Sequence, residues 1–68
     1  MTDVLVTMEH LRKMKICSGG GRRWFKTNGL SWTDFLENGI SADTLDATGD
    51  ALATHVADFA RREAADGQ

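Results

Sequence analysis

Cys17 and Arg23 stand six residues apart across Ser-Gly-Gly-Gly-Arg. This C-x5-R spacing suits phosphate chemistry on a thiolate: backbone N–H groups of the loop cradle the phosphate, the sulfur attacks, and the arginine clamps the oxyanion. The supporting parts are missing. The glycines follow a helical segment and not a core strand, and no motif places a general acid. Sixty-eight residues also leave no room for a deep catalytic cleft. Cys17 is therefore read as a buried structural residue beside a helix-starting turn, and the chain as non-enzymatic. The second constellation is basic and aromatic. Arg22, Arg23 and Lys26 flank Trp24 and Phe25, with Arg12, Lys13 and Lys15 just upstream. Clustered cations neutralise phosphates and exposed rings stack on bases, so these six residues form a candidate patch for an anionic partner. The competing reading is a core aromatic pair beneath surface cations. One cysteine and the two histidines, His10 and His55, give no metal-ligand spacing, and no cofactor is implied.

Short helices meeting at sharp corners must position these groups. Asn28-Gly29-Leu30-Ser31 recurs as Asn38-Gly39-Ile40-Ser41. In each copy the glycine stops one helix and the serine caps the next. Leu30 with Phe35, and Ile40 with Leu45, have the spacing of a hydrophobic staple. Thr48-Gly49-Asp50 repeats this logic, with Asp50 as the cap. The predicted helices run from Met8 to Lys15 behind a Thr7 cap, from a Ser18 cap to about Thr27, from Trp32 to Glu37, from Ala42 to Ala47, and from Ala51 to about Ala64. Three glycines at the start of the second helix cost about 1 kcal/mol each against alanine, so its first turn is expected either at Ser18 or only at Gly21 or Arg22. In the last helix, Leu52, Val56 and Phe59 form the apolar stripe. The expected core is completed by Leu11, Ile16, Trp24, Phe25, Leu30, Trp32, Phe35, Leu36, Ile40 and Leu45. A β-branched residue at Gly39 is expected to cost more than about 1 kcal/mol at positive φ.

The fold class is thus all-α: a compact bundle of four to five short helices joined by Gly/Ser corners. Residues 1–7 form an extended N-terminal arm, 8–64 a single helical domain, and 65–68 a frayed tail. Val4-Leu5-Val6 leans towards β structure and suits an arm, or a strand added to a partner's sheet edge. Trp32, directly after its cap, is the candidate interface anchor, with a core staple as the competing reading. Val4, Leu5, Val6 and Trp32 are therefore the candidate protein interface. No apolar run approaches a bilayer span, so no membrane partner is expected. The net charge of −2 divides unevenly: residues 1–27 carry six Lys/Arg and two acids, residues 28–68 two arginines and eight acids. Such asymmetry suits an anionic partner, or head-to-tail contact between copies in a ring.

The series Cys17, Gly21-Arg22-Arg23-Trp24-Phe25, Gly29-Leu30, Trp32, Phe35, Gly39-Ile40, Leu45 and Thr48-Gly49-Asp50-Ala51 resembles a group of small proteins of tailed bacteriophages and prophages. A histidine often stands in that group where this chain has Asn28, a change that keeps the helix stop. The resemblance implies phage origin and transfers no catalytic residue. The leading expectation is a non-enzymatic virion or assembly component at the head–tail junction or tail, docking on other virion proteins or on copies of itself. Its location would be the host cytoplasm during assembly and then the virion. The alternatives are a small nucleic-acid-binding regulator acting through the basic patch, and a phage inhibitor docking on a host protein.

Overall fold

Three glycines with positive φ, Gly29, Gly39 and Gly49, set the corners of the chain. Between them the computed structural model, which describes residues 4–66, holds five helices and one pair of two-residue strands. In chain order these are β1 (Leu5–Val6), α1 (Met8–Lys13), α2 (Ser18–Thr27), α3 (Trp32–Asn38), β2 (Ile40–Ser41), α4 (Ala42–Ala47) and α5 (Ala51–Asp66). The helical bundle expected from the sequence is the fold. Its caps are the expected ones at three sites: Ser31 Oγ accepts from the Asp34 N–H at 3.1 Å, Ser41 Oγ from the Asp43 N–H at 3.1 Å, and Asp50 Oδ2 from the Ala53 N–H at 3.0 Å.

Two corners differ from expectation. Helix α1 stops earlier, in a Schellman motif: Ile16 N–H donates to Leu11 O at 2.9 Å and Lys15 N–H to Arg12 O at 3.0 Å. The left-handed residue of that motif is Lys15, with φ 63°, where glycine or asparagine is the usual occupant. Helix α2 starts at Ser18 with all three glycines inside it, and its cap is Cys17, whose Sγ accepts from the Gly20 N–H at 3.3 Å; the expected burial of Cys17 is corrected, since the cap position leaves it exposed. Gly21 is buried against its neighbours. A Cβ there would lie 3.0 Å from the Trp32 ring and 3.2 Å from Leu11 Cδ2.

The N-terminal segment is not a free arm. Leu5 and Val6 pair antiparallel with Ser41 and Ile40, and Ala42 N–H donates to Val4 O at 2.9 Å. Val6 is 0% exposed, so its place among interface candidates is corrected: it belongs to the core. The reason lies at Gly39, where φ 78° is followed by ψ −179°, a region open essentially to glycine alone. This geometry sends the chain out of α3 in extended form beside β1, and a Gly39 Cβ would sit 3.0 Å from Val6 O. The expected tail is also revised. Residues 65 and 66 continue α5, while 67 and 68, like residues 1–3 of the expected arm, lie outside the described residues.

Helix α5 packs along α4, α1 and β1, while α2 packs on α3. The α5 face that does this is made of Ala53, Val56, Ala57 and Ala60, all buried. The expected stripe is shifted by about one residue: Leu52 is 49% exposed and Phe59 half-buried at the edge, T-shaped to His10 at 6.2 Å. Leu36, also expected inside, is 52% exposed. On the other side, Trp24, Phe25, Trp32 and Phe35 form one aromatic cluster with ring centroids 4.7–5.4 Å apart.

Substitutions in the glycine run test this geometry. Gly19 has open space around its Cβ position, so Gly19→Ala is expected to stabilise the fold by roughly 0.5–1 kcal/mol through helix propensity. Gly21→Ala is expected to destabilise it, because the Trp32 ring must give way. Urea unfolding of both variants reads the difference, and stabilisation by both would mean that the Trp32 ring yields to a Cβ without cost. Lys15→Gly is expected to stabilise by about 1 kcal/mol by relieving the left-handed lysine, and Gly39→Ala to destabilise by about 1–3 kcal/mol.

Candidate functional site

The α2–α3 half and the α5 half do not close fully on one another. Between them lies an apolar pocket of about 220 Å³. Buried side chains from four helices make its floor: Phe25, Phe35, Leu45 and Val56. Its mouth is formed by Ile16, Gly20, Trp24 and Leu52, all at least partly exposed. Gly20 and Gly21 line it with backbone alone, the space beside Gly21 being already taken by the Trp32 ring and Leu11, and Ala53 on α5 contributes only a methyl group. The Schellman corner fixes Ile16 beside Leu11, and both line the pocket.

The mouth is flanked by cations. Lys15 precedes Ile16, and Arg23 is three residues from Gly20 and therefore its neighbour on the α2 surface. Neither makes an ion pair with any described residue, and the same holds for Arg12, Arg22 and Lys26. All six residues of the expected basic patch are exposed, but Lys13 is diverted from it. Its Nζ lies 3.0 Å from Glu63 Oε2 and ties α1 to α5. The hydrogen bond and then the charge of Glu63 hold the Lys13 ammonium above its ordinary value. Arg61 plays the matching role on the other flank. Its guanidinium reaches Asp46 at 2.7 Å, Asp43 at 3.0 Å and Asp58 at 3.3 Å. The hydrogen bond to Asp46 leads in raising its value further.

The remaining sequence candidates separate. Trp32 is half-buried, its ring 5.3 Å from Phe25 and 5.2 Å from Phe35, so it holds α3 to α2 and is not a free anchor. Val4 is half-buried against the core and Leu5 is 53% exposed. Trp24 stands T-shaped to Phe25 at 5.4 Å with part of its surface at the pocket mouth. The C-x5-R pair is dispersed by the helix. Six residues carry Arg23 about 9 Å along the axis and roughly 240° round it from the thiol. Among the described residues, no group of three or more His, Cys, Asp or Glu side chains is placed to hold a metal ion, and no helix is long and apolar enough to cross a membrane.

The pocket itself was not read from the sequence. Its signal was the exposed Leu52 opposite a glycine pair, visible only once α2 and α5 are known to face each other. No protein family, curated protein or solved structure matches this chain.

The Lys13–Glu63 tie carries a pH signature. A lysine raised in the folded chain contributes fully below its ordinary value of about 10.4 and loses that contribution as pH rises through the higher folded value. Wild type is expected to melt above Lys13→Met at pH near 8 and to lose this margin in strongly alkaline buffer. A margin constant across that range would place the effect elsewhere.

Proposed function

We propose that this chain is a non-enzymatic docking module, a component of a tailed-phage particle or of its assembly, in the head–tail or tail region. The observation that carries the docking reading is the apolar pocket, whose lining residues Ile16 and Trp24 directly follow the unpaired cations Lys15 and Arg23. A small domain gains stability by closing its core, and here an opening of side-chain size is left. A left-handed lysine, a conformation that costs roughly 1–2 kcal/mol, adjoins that opening, and strain of this kind clusters at functional positions. The phage setting rests on the resemblance of the Gly21–Phe25, Gly29–Leu30, Gly39–Ile40 and Thr48–Ala51 segments to small tailed-phage proteins.

The nucleic-acid reading is weaker because its aromatics are engaged. Phe25 is buried and Trp24 packs on it, so the patch offers charge without a free stacking platform. A pocket of this volume exceeds an engineered cavity of about 150 Å³ that binds benzene. It suits one aliphatic or aromatic group supplied by a partner.

Toluene is the probe for that capacity. In a two-dimensional amide spectrum, added toluene is expected to shift Gly20, Gly21, Leu52 and the Trp24 indole, and to leave the α4 caps unmoved. Diffuse shifts, or none at saturation, would remove the docking reading. A duplex DNA complex that weakens steeply with salt, with no toluene response, would turn the assignment to nucleic acid.

A further inference from the structure

We infer that the group entering the pocket belongs to a second copy of this chain, namely Leu36 of α3. This rests on the reading of the pocket as a docking site and names its occupant. Three large apolar side chains are exposed among the described residues: Leu5, Leu36 and Leu52. Leu52 forms part of the mouth. Leu36 does not line the pocket of its own copy, so it is available to another.

Charge selects Leu36 over Leu5. Helix α3 carries Asp34 and Glu37 and no cation, whereas α2 carries Arg22, Arg23 and Lys26 and no acid. Glu37, next to Leu36, is exposed and has no cation partner among the described residues. Lys15 and Arg23 at the mouth are likewise unpaired. Leu5 is flanked by Val4, Val6 and Thr7 and brings no such complement. An acidic helix with one projecting leucine thus matches an apolar hole lined in part by a helix that carries cations and no acid. Size agrees as well: the volume accommodates one side chain and not a whole helix face. Every copy has one projection and one hole. The contact therefore builds a reciprocal pair, a ring, or an open chain of copies. Opposite charges at its rim make it weaken with salt.

Sedimentation velocity on the full chain, over a concentration series at low and high salt, tests the inference. The wild type is expected to associate with rising concentration, less so at high salt. Leu36→Glu removes the projection and Leu52→Glu blocks the mouth. Both sites are exposed, so thermal melts should show folded protein, and each variant is expected to weaken association at least about tenfold. An equimolar mixture of the two is expected to recover a one-to-one complex, since one retains the hole and the other the projection. A wild type that stays monomeric, association untouched by Leu36→Glu, or a mixture that fails to pair would each overturn the inference. Toluene binding separates the two levels. If Leu36→Glu still binds toluene while the wild type does not self-associate, the pocket stands and the occupant is not this chain. If neither protein binds toluene, the docking reading falls with it.

Discussion

The contact of Gly21 with Trp32 and Leu11 is the constraint on which the arrangement depends. It brings three helices to one point: α1 through Leu11, α2 through Gly21 and α3 through Trp32. A side chain at that point must push its neighbours aside, because a Cβ would already be 3.0 Å from the indole. Fixing α2 there aligns Trp24 and Phe25 with Trp32 and Phe35, so the aromatic cluster follows from the close approach. It also sets how far α2 stands from α5. That helix is held independently, by its alanine face on α4 and β1, and the two halves meet over a gap that neither fills. The pocket is thus the remainder between two well-packed units and not a defect in either one.

How much of this was legible in the sequence depended on whether a local rule or a neighbour decided the outcome. Ser31, Ser41 and Asp50 were readable as caps because a cap is a local hydrogen bond between a side chain and an N–H two or three residues on. Gly29, Gly39 and Gly49 were readable as corners for the same reason. Lys15 was not, since the motif it completes is normally announced by glycine and lysine carries no such signal. Cys17 was passed over as a cap in favour of Ser18, the stronger acceptor, although position and not acceptor strength decided. On α5 the large residues Leu52 and Phe59 drew the predicted stripe towards them. The buried face is instead the one whose small residues let α4 and β1 approach, and hydrophobicity alone does not report how near a neighbour will come. The strand pair was beyond reach of any local rule, because its partners lie at opposite ends of the first three helices.

The charged residues show a similar division. Six cations read as one patch in the sequence, but one of them, Lys13, is matched to Glu63, a residue far away in the chain. Arg61 lies in the last turns of α5, where a cation complements the dipole of its own helix. Its bonds run mainly to Asp43 and Asp46 on α4, so it works across a helix pair and not along one helix. Both ties sit at the borders of α5, at half-exposed positions where ion pairs contribute modestly. Their effect is to fix the angular setting of α5 against its neighbours. The cations they leave unmatched are those on and beside α2, next to the opening.

The β1–β2 pairing has a kinetic consequence. Its two strands are the ends of a loop that contains α1, α2 and α3, so the pairing cannot form until those helices have drawn the ends together. Loop-closure entropy makes such a contact late, whereas the capped corners are local and form early. Val6 lines the floor of the pocket and Gly39 supplies the geometry that receives it. The Val6 side of the pocket therefore forms only after the local corners have closed. During synthesis, the N-terminal strand must wait for Ile40 and Ser41 to emerge before it has a partner.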